Sequence, residues 1–459
     1  RGDFITATFA LVLAGVGAGL YALLRHGWAG WAQSTRLFAH SFRPAFHVGC
    51  VLAGMLLLWS GPELWASRWT PAALALTHLI TAGFMLQVML GAMFQILPVV
   101  AGANISRPLL IATVVHAAIA LGAVLLAAAF LSHQPLAFRL AVISLGSGLA
   151  LFAGAAGHAL YGVPSRNPTI VGLKLSLVGL SMTVGIGALL AIALDASLAL
   201  PLLQLTSIHL GWGFVGWGVV LLAAVAFVVV PMFQMTPPYP PGVARHFCWS
   251  VLVLLSLWSV VELADWQWPA ALLAGALVLA AAVFAAVTLH VQRRSKRARF
   301  DATQHYWRVA MLCALAACLL WFLASLLPTL AERQEWPLLC GVLVLSGGFM
   351  SVMIGMLYKI VPFLVWLHLQ NLGGGRVMAP NMNKVIAGEQ IDRQMRAHFV
   401  SLAVLLAAAV WPEWFTYPAG IALVVANSWL LRNLLAAVTF YQQHRSTIQG
   451  LAPAVATGR

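Results

Sequence analysis

Gly83-Phe84-Met85-Leu86-Gln87-Val88-Met89-Leu90-Gly91-Ala92-Met93-Phe94-Gln95-Ile96-Leu97-Pro98 is a run without a single charged residue, closed by a proline. The run recurs. Gly348-Phe349-Met350 is followed by Gly355-Met356-Leu357-Tyr358-Lys359-Ile360-Val361-Pro362. A looser copy starts Gly- and Trp-rich, from Gly211 to Gly218, and ends Ala226-Phe227-Val228-Val229-Val230-Pro231-Met232-Phe233. The three prolines stand 133 and 131 residues apart. A constant period of this kind marks a repeated structural unit.

Outward from these runs the chain stays apolar. It has 459 residues, 62% hydrophobic and 8% charged, with a mean hydropathy of +0.93. Soluble domains are near 25% charged, and disordered chains are more polar still, so both classes are excluded. A spanning helix needs about 20 mostly apolar residues. Thirteen runs qualify: 4–24, 44–61, 71–98, 108–131, 136–161, 168–194, 200–231, 247–264, 268–291, 305–329, 336–367, 397–412 and 416–440. The longest connection, 368–396, is too short for a soluble domain. Four spans separate successive copies of the repeat. The expectation is an all-α integral membrane protein of about 13 transmembrane helices. Twelve of them form three units of four about a pseudo-threefold axis, with 71–98, 200–231 and 336–367 in equivalent central places, each ended by its proline. Residues 1–40 would be an extra N-terminal helix and basic loop, 41–445 the twelve-helix domain, and 446–459 a cytoplasmic tail. No removable signal peptide is evident, because a basic segment and no small-residue cleavage site follows the first apolar stretch.

Charge tests the count. The loops after odd-numbered spans carry Arg25, Arg36, Arg43, Arg107, Arg166, Arg245, the run Arg293-Arg294-Ser295-Lys296-Arg297-Ala298-Arg299, and Arg376, Lys384, Arg393 and Arg396. The alternate loops carry Glu63, Asp195, Glu262, Asp265, Glu332, Glu335 and Glu413, with Arg68 and Arg333. By the positive-inside rule the N-terminus is outside and the C-terminus, with Arg445 and Arg459, is cytoplasmic. This bias accounts for the net charge of +14 without a nucleic-acid partner. The basic run 293–299 is expected against lipid headgroups, and Lys359 is expected to snorkel to the surface. Lys174, two turns into its span, has no evident role.

Ionisable groups at membrane depth default to functional candidates. His78, His116, His158 and His209 lie within spans, with His47 and His290 near their ends. His78 and His209 precede their repeat prolines by 20 and 22 residues, and Cys340 precedes Pro362 by 22. Three equivalent helix ends thus offer His, His and Cys, a set suited to copper or in part to haem iron. Met85, Met89 and Met93 form a stripe at helical spacing, as do Met350, Met353 and Met356. Facing thioether stripes could line a Cu(I) path, or simply pack as core. Cys50, Cys248, Cys313, Cys318 and Cys340 form no CxxC pair and read as buried apolar residues. No Asp or Glu lies deep in a span, which disfavours a carboxylate proton relay.

Three units of four helices is the architecture of subunit I of haem–copper oxidases, and local sequence resembles it. Val344-Leu345-Ser346-Gly347 is similar to the stretch after the haem ligands of the oxidase tenth helix, and His78 resembles the low-spin haem ligand of the second. Phe42-Arg43-Pro44-Ala45-Phe46, then a span, then a helix carrying His near its start, resembles the NnrS family of haem- and copper-containing membrane proteins. The resemblance covers about residues 40–440 and implies haem b, with copper as a second metal, and a bacterial inner-membrane location. It implies a periplasmic electron donor or other respiratory subunits as partners, besides membrane lipid.

The departures restrict the chemistry. Cys340 and Val342 stand where oxidases have His-x-His, the span 247–264 lacks a His-His pair, and 200–231 lacks His-x-x-x-Tyr. Leu76-Thr77-His78-Leu79 replaces the His-x-His-Glu of NnrS proteins. A complete oxygen-reducing centre is not expected, because its copper needs three imidazoles. The first reading is a haem-binding, oxidase-like redox subunit or protective factor in respiratory or nitric-oxide-related metabolism, with His78 and His209 as axial ligands. The alternatives are a permease for copper or a small solute, using Met85, Met89, Met350 and Met353, and a non-catalytic subunit or assembly factor of a respiratory complex.

Overall fold

A computed structural model of the protein describes residues 45–196, 198–374 and 377–456. The expected span 4–24, the loop to Pro44, Arg376 and the last residues of the tail lie outside the described residues, as does the side chain of His47. Among the described residues there is no strand, and twelve long helices follow one another. They are α1 (45–60), α2 (71–100), α3 (108–132), α4 (135–161), α5 (168–196), α6 (202–234), α7 (241–263), α8 (267–293), α9 (302–326), α10 (335–373), α11 (388–410) and α12 (412–456). Eleven are long and apolar enough to cross a membrane, so the chain is a helical, multi-pass membrane protein. The exception is α11, whose first turns carry Glu389, Asp392, Arg393 and Arg396, with Glu389 and Arg393 paired one turn apart.

Proline sets many of the starts. Pro71, Pro108, Pro135, Pro241 and Pro412 each open a helix, where the missing N–H has no partner to lose and the fixed φ suits the first turn. The three repeat prolines behave otherwise. They do not end their helices, as the sequence pattern implied. Each helix runs on, to Val100, Gln234 and Gly373. Proline forfeits one i→i−4 hydrogen bond, and the residue whose carbonyl is freed is aromatic each time: Phe94, Phe227 and Tyr358. Helix α12 stays helical through Ala456.

The helices of the repeat share a second feature. Each contains a π-helical segment: Thr81–Met85 in α2, Gly211–Val219 in α6 and Leu343–Met350 in α10. Such widened turns are rare and recur at functional sites. His78, His209 and Cys340 each stand two or three residues before their segment. Within the segments Gly83, Gly216 and Gly347 all precede the repeat proline by 15 residues, and each packs on the helix just before its own in the chain. A Cβ on Gly49 of α1 would lie 2.6 Å from the Gly83 carbonyl, one on Gly179 of α5 would enter the Gly216 backbone, and one on Gly347 would lie 2.6 Å from Cys313 Sγ of α9.

These helices form the interior. More than half of the apolar window of α2, α6 and α10 is buried (61%, 56% and 61%), against 33% or less for α3, α4, α5, α7, α8 and α9. Phe214 and Phe349 stack at 6.0 Å between the π segments of α6 and α10. Trp217, Met85 and Met350 share one buried cluster. Around them α4 packs on α5, α8 on α9 and α12 back on α1.

The two lysines have structural partners. Lys359 reaches the N-terminus of α9, its Nζ 2.6 Å from Asp301 Oδ2. Part of the basic run is paired within the protein as well. Arg297 pairs with the same carboxylate at 2.8 Å and donates to the Phe233 carbonyl. Asp301 is one of few acids near the basic loop, so it draws inward the cations that can reach it. Lys174 donates to the Val163 carbonyl at 2.6 Å and Ser165 Oγ at 2.9 Å, holding the chain just past the C-terminus of α4, where carbonyls lack partners.

Candidate functional site

His78 lies on α2 with Nδ1 2.8 Å from the Leu74 carbonyl and its ring 5.2 Å from that of Phe130 on α3. His209 lies on α6, and its Nδ1 is 3.1 Å from the Thr183 carbonyl of α5. Gly187, one turn beyond Thr183, makes room for that ring, since a Cβ there would sit 2.8 Å from Cε1. A carbonyl can only accept, so in both rings Nδ1 carries the proton and Nε2 keeps its lone pair. Tying one ring nitrogen to a carbonyl is the arrangement that orients an imidazole as a metal ligand. The two rings lie within electrostatic reach of each other.

Cys340 does not join them. Its thiol faces α9, donating to the Ala317 carbonyl at 3.8 Å, with Cys318 close by. Among the described residues no group of three or more His, Cys, Asp or Glu comes together to hold a metal ion. Met85, Met89, Met93, Met350 and Met353 are buried in the central cluster, and Met356 in the adjoining one. Their surroundings are those of core packing. All five cysteines are free. His158 and His290 are exposed on their helices, apart from the pair.

A second polar group was not legible in the sequence. His398 of α11 is fully buried, with Nε2 2.9 Å from Ser351 Oγ of α10 and its ring 5.5 Å from Tyr306 of α9. The Tyr306 hydroxyl donates to Gln394 Oε1 at 2.6 Å, and Gln394 Nε2 donates to the Ala426 carbonyl. Asn433 of α12 donates to the Tyr358 hydroxyl at 2.9 Å. The span expected at 397–412 made His398 an end residue. Helix α11 begins nine residues earlier and carries it inside. The charged first turns hid that start, because amphipathic entry into a bilayer lowers local hydropathy. Ser351→Ala removes the hydroxyl that meets His398 Nε2 and leaves a buried polar atom unpaired. The expected loss is about 1–3 kcal/mol, read as a lower midpoint of thermal unfolding in detergent. An unchanged midpoint would show the contact to be inconsequential.

No family model matches the chain, and no curated protein matches it either. The chemistry must come from the residues. Among the described residues no cluster of three His, Cys, Asp or Glu offers Cu(II) a closed ligand set. A haem iron takes four nitrogens from its macrocycle and asks the protein for one or two axial ligands. His78 and His209, each with Nδ1 tied to a carbonyl, are donors of that kind.

Proposed function

We propose that the chain is an oxidase-like, haem b-binding membrane protein with His78 and His209 as the axial pair. The arrangement of the two imidazoles carries this reading: equivalent places on α2 and α6, one carbonyl tie each, Nε2 free. The bundle we infer has three units, α1–α4, α5–α8 and α9–α12, about a pseudo-threefold axis. The contacts of α4 with α5, α8 with α9 and α12 with α1 support it, as do the three π segments. His78 and His209 then sit at the periplasmic ends of α2 and α6, with the basic loops in the cytoplasm of a bacterial cell.

Haem at this place would take up and release single electrons near the outer surface. The protein's part is to hold the imidazoles neutral and oriented through Leu74 and Thr183, and to seat His209 against Gly187. The third helix of the repeat offers Cys340 turned toward α9, so a complete oxygen-reducing centre does not belong to this reading. A redox subunit or protective factor in respiratory or nitric-oxide-related metabolism does, with a periplasmic electron donor. Copper is a weaker companion proposal, since the thioethers near the pair are packed as core.

The visible spectrum of the purified protein is the test. A Soret band with low-spin features is expected, and His78→Ala and His209→Ala should each abolish or shift it, while His398→Ala leaves its position alone. A protein purified from haem-replete cells without a Soret band, or both variants with an unchanged one, overturns the reading.

A further inference from the structure

We propose that the basic end of α8, α9 and α11 is a binding site for one acidic phospholipid. A cavity of about 330 Å³ opens there. Its polar side is Arg293 at the end of α8 with His305 and Arg308 on the first turns of α9. Its apolar side is Leu289, Val309 and Leu312, closed by Phe399 of α11. At 1.5 Å per residue, Arg308 stands about 9 Å along α9 from Ala302, and Leu312 about 15 Å. The cavity therefore grades from cationic to apolar along the helix, as a lipid does from phosphate to acyl chain. Leu312 is 56% exposed, so the apolar end is open to the bilayer.

The cations are held and unneutralised. The Arg308 guanidinium lies 4.5 Å over the Phe300 ring, and His305 meets the same ring edge-on at 6.3 Å. Asp301, the carboxylate of this loop, is engaged by Arg297 and Lys359. Among the described residues neither Arg293 nor Arg308 forms an ion pair. Two guanidinium groups match the oxygens of a phosphodiester, and basic pockets between transmembrane helices suit anionic headgroups. A soluble phosphate would leave the apolar slot unfilled, and phosphatidylcholine brings its own cation to a cationic rim. An anionic lipid satisfies both ends.

The test is native mass spectrometry of the detergent-purified chain titrated with phosphatidylglycerol or phosphatidylcholine. One phosphatidylglycerol per chain should bind in preference to phosphatidylcholine. Arg293→Gln with Arg308→Gln should weaken it by about fivefold for each arginine, while Arg294→Gln with Arg299→Gln, outside the cavity, keeps the preference. Inorganic phosphate at matched ionic strength should not displace the lipid. Equal binding of the two lipids, displacement by phosphate alone, or wild-type affinity in the Arg293/Arg308 double variant would overturn the proposal. The wild-type comparison decides it even if that variant folds poorly.

Discussion

Asp301→Ala will lower the stability of the bundle by about 2–4 kcal/mol, among the largest effects expected of a single side chain here. Its Oδ2 receives both Lys359 Nζ and Arg297, and its Oδ1 caps α9 by accepting from the Gln304 N–H at 3.1 Å. Gln304 completes a capping box. The lysine is only 17% exposed and the arginine 27%, so removal of the carboxylate strands two partly desolvated cations, and that dominates the cost. The damage should spread to α6, because Arg297 also donates to the Phe233 carbonyl and Ser295 to that of Gln234. Asp301→Asn keeps a capping oxygen and loses the charge, so it should fall between wild type and alanine. Lys359→Met should cost less in the Asp301→Ala background than alone, since the cation it removes is already unpaired. Denaturant unfolding in detergent measures all four. An alanine variant within 0.5 kcal/mol of wild type would show that the clamp is only a surface contact.

The long apolar helices were legible because a bilayer imposes one length and one composition on every span, and proline marks their starts. So was the internal repeat, since Pro98, Pro231 and Pro362 keep a constant period. That these prolines lie inside their helices was not legible, because a bundle can absorb one lost hydrogen bond and sequence carries no trace of the repair. Nor were the π segments, which depend on how Gly83, Gly216 and Gly347 meet a neighbouring helix. Of the candidate ligands, depth in the membrane was readable and rotation was not. Spacing alone therefore did not reveal that His78 and His209 tie Nδ1 to carbonyls while Cys340 turns to Ala317. Lys174 and Lys359 needed Val163 and Asp301, partners supplied by packing rather than spacing.

Gly179→Ala should be comparably severe, about 3 kcal/mol or more, at the upper end of what overpacking costs. The new methyl group would enter the carbonyl of Gly216 and the amide of Trp217. Both are backbone, and no rotamer change can move them, so α5 and α6 must part. The crossing of Gly49 with Gly83 in α1 and α2 has the same character, and Gly49→Ala should behave alike. Gly185, on the same helix with nothing within 4 Å of its Cβ direction, is the control. Alanine there should be neutral or stabilising by up to about 1 kcal/mol. The crossing also bears on the candidate site. Thr183, one turn from Gly179, donates its hydroxyl to the Gly179 carbonyl at 2.7 Å, and the Thr183 carbonyl holds His209 Nδ1. Parting α5 from α6 therefore releases the imidazole as well as the packing. Gly179→Ala should lower the unfolding midpoint and shift the visible spectrum of the haem-loaded protein together, whereas Ser351→Ala lowers the midpoint with the spectrum in place. A Gly179→Ala protein as stable as wild type would refute the close crossing. One that loses stability but keeps the spectrum would separate the crossing from the orientation of His209.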